Sequence, residues 1–581
     1  MVKRMRSFLS AIMLMIAVTV SAQVTTASLS GKVTDENKEA IIGATVQAIH
    51  VPSGTHYGAI TNTEGRYTIQ GMRAGGPYKV EISYIGYQSE VFSDVQLSLG
   101  ETLSLNATMK ESSEVLGEVT VVGKAGVDAN KTGAAMYLSS EKMAELPSLN
   151  HNVSDVVRMS PQVRVTDGGA MYFAGANNRY NSFQIDGAMN NDVFGLTSNG
   201  SNGGQAGVNP VSMETIDQIQ VSVAPFDVRQ SGFTGGSINA VTKSGTNEFH
   251  GSAYGYFQNY NLIGSKYKMV NGNDSEALGS QHDNTYGITL GGPIIKDKLF
   301  FFANYENTDK ALANVYGKGA SASNVDGDVA QKILDKVIAD AAAQGVTYNA
   351  SLGNASDYTK SNKLGLKLDW NINQKHHASF RWSLVDGKSL NSTSSASSLV
   401  ANSYSYDFKT NTNTLTFELQ SRFNENMNNE FHASYVRVRD QRDPSSPFPM
   451  IQIGNVGDGT LYLGNERSSM ANKLDQDIYS ITDNLTWYMG NHTLTAGTHN
   501  ELYTFENLFI QDAYGTYIYS NVDDFYAGKV NRFRYGQANT DVTGDPRWAA
   551  KFSAGQLGFY VQDKWNVTDN FDLTYGLRMD M

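Results

Sequence analysis

KLGLKLDWNINQKHHASFRWSL, residues 363 to 384, alternates twice with a break between. Leu364, Leu366, Leu368 and Trp370 fall on one face of an extended chain and Gly365, Lys367 and Asp369 on the other, because successive side chains of a strand point to opposite sides. After Asn371 to His376 the pattern resumes, with Ala378, Phe380, Trp382 and Leu384 against Ser379, Arg381 and Ser383. FDLTYGLRM, residues 571 to 579, repeats it: Phe571, Leu573, Tyr575, Leu577 and Met579 oppose Asp572, Thr574, Gly576 and Arg578. A soluble sandwich alternates too. A barrel in lipid instead turns its apolar face outward and tolerates mid-strand charges such as Arg381 and Arg578 toward a wet lumen. The connections decide between the two. Turns within strand pairs are short (Gly292 to Lys298, Asn371 to His376, Met489 to His492, Asn566 to Asn570), whereas residues 308–360, 386–411, 439–478 and 505–553 are long and largely polar. That alternation belongs to a transmembrane barrel with short periplasmic turns and long extracellular loops. The spacing predicts a strand near 248–260 and pairs near 285/300, 365/380, 415/433, 483/495 and 560/575, about eleven in all. Residues 327 to 343 (GDVAQKILDKVIADAAA) have helical composition inside one long loop, which predicts local structure over the outer mouth.

Composition agrees. The 581 residues include 55 glycines and 31 tyrosines with only 18% charged residues, and the mean hydropathy of −0.35 is too polar for helical membrane spans. A net charge of −12 gives no electrostatic reason to expect nucleic acid as a partner. Lys3, Arg4 and Arg6, the apolar run Phe8 to Val20 and Val20-Ser21-Ala22 predict a signal peptide over residues 1–22, the run being too short to span a bilayer as a helix. There is no cysteine, hence neither a disulfide framework nor a cysteine-linked lipid anchor.

Residues 23–110 read as short strands cut by turns, a small β-sandwich: Tyr67/Ile69 and Val80/Ile82/Tyr84 alternate, with turn signals at Gly65 and at Gly75-Gly76-Pro77. Residues 111–135 form a polar and small-residue linker around EVTVVGK (118–124), a β-prone segment suited to adding as an edge strand to another protein's sheet. Residues 136–245 mix helix and strand. Leu149, Val153, Val156 and Val157 have helical spacing up to Pro161, Val163 and Val165 begin a strand, and Asp186-Gly187 marks a turn.

At this point the chain resembles a family. Residues 27 to 110 look like the carboxypeptidase-regulatory-like (carbohydrate-binding-like) domain. FAGANNRYNSFQIDGAMNND (173–192) and GGSINAVTKSGTNEFHG (235–251) resemble, in order, the plug signatures of TonB-dependent outer-membrane receptors, with Gly175, Arg179, Asp186, Gly187, Gly235, Gly236, Ile238 and Asn239 as the matching positions. NNRYNSFQIDGAMNND is closer to the Oar-like branch, and Val223-Ala224-Pro225 departs from the Arg-Gly-Pro usual elsewhere. The resemblance implies a mainly β chain of three parts: a sandwich (23–110), an α+β plug (136–245) and part of a large antiparallel barrel (246–581). Glu118, Val119, Thr120, Val121 and Val122 would be the TonB box, pulled by TonB with ExbB and ExbD, in a receptor of the outer-membrane lipid. The ligand would bind outside, between long loops and residues 167 to 205, with a glycan or a peptide and a surface lipoprotein partner both open. Such a barrel has about twenty-two strands. The eleven here, with the chain stopping after one of them, are the expectation for an N-terminal fragment holding half the barrel.

Catalytic chemistry is absent from the pattern. No histidine starts an HExxH, no GxSxG or P-loop occurs, and His376-His377 point to opposite faces of a strand, so no enzyme, cofactor or metal is expected. Two rivals remain: an outer-membrane adhesin or anchor, which would gain little from a Gly-Gly plug, and a secreted carboxypeptidase, which would need zinc ligands that are missing.

Overall fold

A computed structural model describes residues 25–112 and 134–581, apart from 147, 149–150, 167–168, 224, 264–280, 313–315, 320–322, 354–355, 446 and 569–570. The predicted signal peptide and residues 118–122 therefore lie outside the described residues.

Eleven antiparallel strands form one sheet in chain order, from His250–Asn259 through the pairs His282–Ile295/Leu299–Leu312, Asp357–Asn373/His376–Asn391, Tyr406–Asn424/Met427–Pro444 and Asn472–Met489/His492–Phe509 to Ala550–Thr568/Phe571–Asp580. The first and last strands pair on one side only among the described residues, so the sheet is an open half-cylinder. Its polarity is inverted relative to a soluble protein. Leu364, Leu366, Trp370 and Phe380 are 37–46% exposed, while Lys363, Asp369 and Arg381 on the opposite face of the same strands are 4–7% exposed. Apolar burial stabilises a chain in water by roughly 25 cal/mol per Å², so a long sheet that shows leucine and tryptophan outward is built for lipid. Trp370, Trp487 and Trp565 all stand within three residues of a strand's short-turn end, as an interfacial aromatic girdle does.

The strands run further than the apolar alternation predicts. Tyr406 and Asn472 begin strands inside stretches expected to be loops, and Leu312, Asn391, Pro444 and Phe509 end them there. Apolar residues mark only the part of a strand that meets lipid. Beyond it the ladder continues on backbone hydrogen bonds with polar side chains on both faces, as at Lys409↔Gln441 and Thr410↔Asp440.

At the long-loop end, segments from three loops meet in a second sheet, Ser398–Val400, Gly459–Leu463, Met450–Val456, Thr516–Tyr519 and Arg532–Arg534. The helix Gly327–Ala343 packs on it through Ile333, Leu334 and Val337 against Ile453, Leu461 and Leu463, with Tyr348 stacked on Phe448 at 3.9 Å. The loops are thus a folded cap with its own core.

The N-terminal part is a two-layer sandwich. Thr26–Asp35 pairs with Arg66–Arg73 and, in parallel, with Thr102–Ser104 and Ala107–Met109; Thr45–His50 sits between Thr55–Ile60 and Gly75–Ser83, followed by Glu90–Leu97. Leu29, Val33, Val46, Ile69, Tyr78, Val80, Ile82 and Leu97 fill the space between the layers. Gly75-Gly76-Pro77 is a strand start with a register shift rather than the predicted turn, because Gly75 pairs with Leu97 and the chain bulges before Tyr78.

Candidate functional site

Between sandwich and cap, on the concave side of the open sheet, lies an inner unit built on five strands ordered Ala188–Met189, Ser182–Ile185, Gly236–Thr242, Ile216–Val223 and Ala134–Ser139. Ser182–Ile185 runs parallel to Gly236–Thr242, register Phe183↔Ile238 and Ile185↔Ala240. The short helix Val153–Val157, capped by the Asn152 side chain on Asp155 N–H at 2.9 Å, buries Val153, Val156 and Val157 against this sheet. Two glycines permit its tightest approach. A side chain at Gly236 would overlap the ring of Phe173, and one at Gly235 the amide of Asn181.

Asp186 links the inner unit to the wall. It follows strand Ser182–Ile185 with φ of 45°, its N–H donates to Ala240 O at 2.8 Å, and its carboxylate accepts from Thr242 N–H (2.8 Å) and Thr242 Oγ1 (2.6 Å). From the wall, Arg381 Nε lies 3.1 Å from Oδ2 and Lys367 Nζ 3.6 Å from Oδ1, and Lys367 also donates to Thr242 O at 2.9 Å. Burial alone would raise the Asp186 carboxyl; Lys367 and Arg381, with the Thr242 donors, hold it below the usual carboxylate range. Its carbonyl lies 2.9 Å from His432 Nε2, and a Cβ at Gly187 would come within 2.6 Å of that nitrogen.

Two further buried charges tie the same unit to the wall. Glu306 accepts from Lys363 Nζ (2.6 Å), Tyr254 OH (2.9 Å) and Ser212 Oγ (2.5 Å), the last from the inner unit. Arg229 pairs with Asp227 at 2.7 Å and with wall Glu430 at 3.6 Å. A buried charge that loses its partner costs several kcal/mol, so these contacts hold the unit in one position.

The eight sequence-singled positions do not act as one cluster. Asp186, Gly187, Gly235, Gly236, Ile238 and Asn239 come together in the sheet and its turn, where Ile238 and Asn239 are buried. Gly175, with φ of 85°, and Arg179 stand apart in an outer loop; Arg179 is exposed, leans over Gly195 and has no ion pair among the described residues. Around it Tyr180, Val193 and Leu196 are also exposed, at 57%, 38% and 54%, while Phe194 packs on wall Phe505 at 5.0 Å. Sequence reading placed Lys367 and Arg381 on a lumen face but missed Glu306, Lys363, Arg229 and Glu430. For Glu306, Lys363 and Glu430 the signal was a charge within an alternating strand; Arg229 sits in a turn, where no such pattern marks it.

The sandwich touches both other parts. Gln218 accepts from Leu99 N–H (2.9 Å) and donates to Leu97 O (3.2 Å), Arg73 lies 3.5 Å from wall Asp369, and Thr55 and Asn62 bond to Asn371 and Gly490 of two short turns. No group of histidines and carboxylates suited to a metal ion occurs among the described residues.

Comparison with known proteins places this geometry. The outer membrane beta barrel domain family matches residues 241–325 and 314–581, and the carboxypeptidase regulatory-like domain family matches residues 28–110. The TonB-dependent transporter Oar of Myxococcus xanthus is 26% identical over 55% of this chain and 30% of its own length. The TonB-dependent receptor SusC of Bacteroides thetaiotaomicron is 24% identical over 44% of the chain and 25% of its own. In structure, the outer membrane transporter YddB of Escherichia coli superposes with a TM-score of 0.53 at 14% identity, covering 77% of this chain and 56% of that one. The siderophore receptor PirA of Acinetobacter baumannii does so with 0.50 at 16% identity, with the same coverage. The chain thus spans only part of the length of these relatives.

Proposed function

The chain belongs to the outer membrane β-barrel domain family, and from that premise we propose that it is the plug-bearing part of a TonB-dependent receptor that imports a large or scarce nutrient. In this reading residues 136–245 are the plug, residues 111–135 the linker, and the open sheet of eleven strands is completed by further strands of a longer protein. TonB, energised by ExbB and ExbD, pulls on residues 118–122. The single observation that carries the reading is the ion network at Asp186: an inner unit held to the wall by buried charges and two small apolar patches, Ala188 with Val436 and Val438 and Ala206 with Phe408, and not by a continuous apolar core, is fixed at rest yet releasable by force. Each such contact is directional and is lost over a short displacement, whereas apolar surface would slide.

The ligand side is the outer loop of the plug, where Arg179, Tyr180, Val193 and Leu196 stand exposed. Their mix of aromatic, aliphatic and cationic groups suits a glycan or a peptide. The anchor or adhesin reading has no support from the relatives. The test is deletion of residues 118–122 in the intact protein: uptake should vanish while surface binding of ligand persists, and unchanged uptake would remove the assignment of that segment.

A further inference from the structure

Among the described residues, the sandwich exposes an apolar patch that none of its contacts covers. Ile85 is 95% exposed at the tip of the turn that follows strand Gly75–Ser83, Ile42 is 53% exposed, and Tyr84 and Tyr87 flank the tip with ring centroids 5.7 Å apart. The turn is well held: Tyr87 N–H donates to Tyr84 O at 3.1 Å, and Gly86 takes φ of 87°. Solvent exposure of a β-branched residue at a rigid tip is unfavourable and has no role in the fold. None of Thr55, Tyr57, Asn62 and Arg73, which face the barrel, belongs to this patch.

Two observations identify what fits there. The first is position. The chain leaves the sandwich across this turn, with Gln88 N–H on Lys110 O and Ser112 N–H on Gly86 O, both 2.9 Å, so residue 112 is fixed against the patch and residue 118 follows shortly. A protein holding residues 118–122 must come within reach of Ile85, since six residues span at most about 20 Å. The second is charge. Glu111 bridges Tyr87, Asp35 pairs with Met109 beside it, and Glu39 closes a turn on Asp35 that carries Glu36 and Lys38, with Lys110 bonded to Gln88 as the other nearby cation. Desolvation first, then the charges of Glu111, Asp35 and Glu39, hold the Tyr87 phenol above its usual range.

We propose that Ile42, Tyr84, Ile85 and Tyr87, with their acidic rim, form a second docking surface for the periplasmic protein that takes residues 118–122, one whose contact face is apolar with a cationic border. The inference rests on the function proposed above. Two linked contacts on one partner raise its residence without new affinity in either, because the second binding event becomes intramolecular. The sandwich would then share the pulling force with the plug through Gln218 instead of trailing as a free module.

The intact receptor in detergent is titrated with the purified periplasmic domain of TonB, comparing wild type, Ile85→Asp, Glu39→Lys/Glu111→Lys and a deletion of residues 118–122. Ile85→Asp and the double charge reversal should each weaken binding about tenfold, and the deletion should abolish it. Loss on deletion with no change in either patch variant overturns the docking surface and leaves the proposed function standing. Undiminished binding after the deletion removes the assignment of residues 118–122 and overturns the docking surface that is placed by it, whereas no binding even by wild type overturns the proposed function itself. Concentration-dependent dimers in wild type that Ile85→Asp dissolves, with TonB binding unaltered, would assign the patch to a second copy of the chain and overturn the proposal.

Discussion

The sandwich and the barrel wall are written in the same period-two pattern, yet they face opposite ways. In the sandwich Leu29, Val80 and Ile82 are wholly buried and the alternate residues meet water. In the wall Leu366 and Phe380 are exposed, whereas Lys363 and Arg381 are buried on the side of the inner unit and Asp369 against the sandwich's Arg73. One alternation supports both because a strand only sorts its side chains into two sets; the surroundings decide which set is hidden. The two interiors must therefore respond differently to the same kind of change: the sandwich interior punishes charge, and the interior of the wall punishes its removal.

Asp186→Ala tests this most severely. It strips the carboxylate from between Arg381 and Lys367, leaves buried Arg381 without its ion partner and half-buried Lys367 with only the Thr242 carbonyl, and should cost about 3–5 kcal/mol of stability between the wall and the inner unit, the plug of the proposed function. Limited proteolysis of the plug in detergent should show it released while the barrel stays resistant. A plug as protected as wild type would mean that apolar contacts hold it. Leu366→Arg probes the other face. A charge on the lipid side near the middle of a strand should cost roughly 2–4 kcal/mol in urea titration from vesicles, against less than that in a position facing water.

Much of the architecture was legible in the residues. Eleven strands, the short turns between Asn371 and His376 and between Met489 and His492, and the helix over residues 327 to 343 follow from local patterns. What was not legible depends on residues far apart in sequence. The cap core joins Ile333, Leu461 and Phe525 from three different loops, none of which is apolar enough to reveal a core by itself. Gly75-Gly76-Pro77 has turn composition, and only its partner Leu97 makes it a strand. Asp186 read as half of a turn dipeptide; its ion partners sit on strands more than 180 residues later, at Lys367 and Arg381.

His50 sharpens the sandwich side of the comparison. It is 5% exposed, with Nδ1 2.6 Å from Ser53 Oγ and its ring 5.0 Å from that of Tyr78, and desolvation, then the Arg73 charge, push its pKa down to about 3 from 6.5. The folded ring stays neutral where the unfolded one takes a proton. Stability is therefore intact above pH 6.5 and falls as pH drops toward 3, by about 2 kcal/mol at roughly pH 5. The Asp186 carboxylate, held below its usual range, keeps its contribution until pH falls past the ordinary carboxylate value of about 3.9. Melting of the sandwich followed between those two pH values should show loss in wild type and a flatter profile in His50→Gln, with the plug still docked in both.

Arg179 should have the smallest effect, and that is what makes it useful. It belongs to the same sequence signature as Asp186, seven residues before it, and carries a charge that the signature alone would rank equally. Yet it is exposed, in the single turn Asn178–Tyr180, with its side chain lying over Gly195. A solvated arginine without an ion partner contributes little to stability, so Arg179→Ala should shift plug protection by no more than about 0.5 kcal/mol. Its place beside Tyr180, Val193 and Leu196 makes it a ligand contact in the proposed function, so the same variant should weaken surface binding while leaving TonB capture unchanged. A large loss of stability would instead put Arg179 with Asp186 as a structural charge and move the ligand surface elsewhere on the loops.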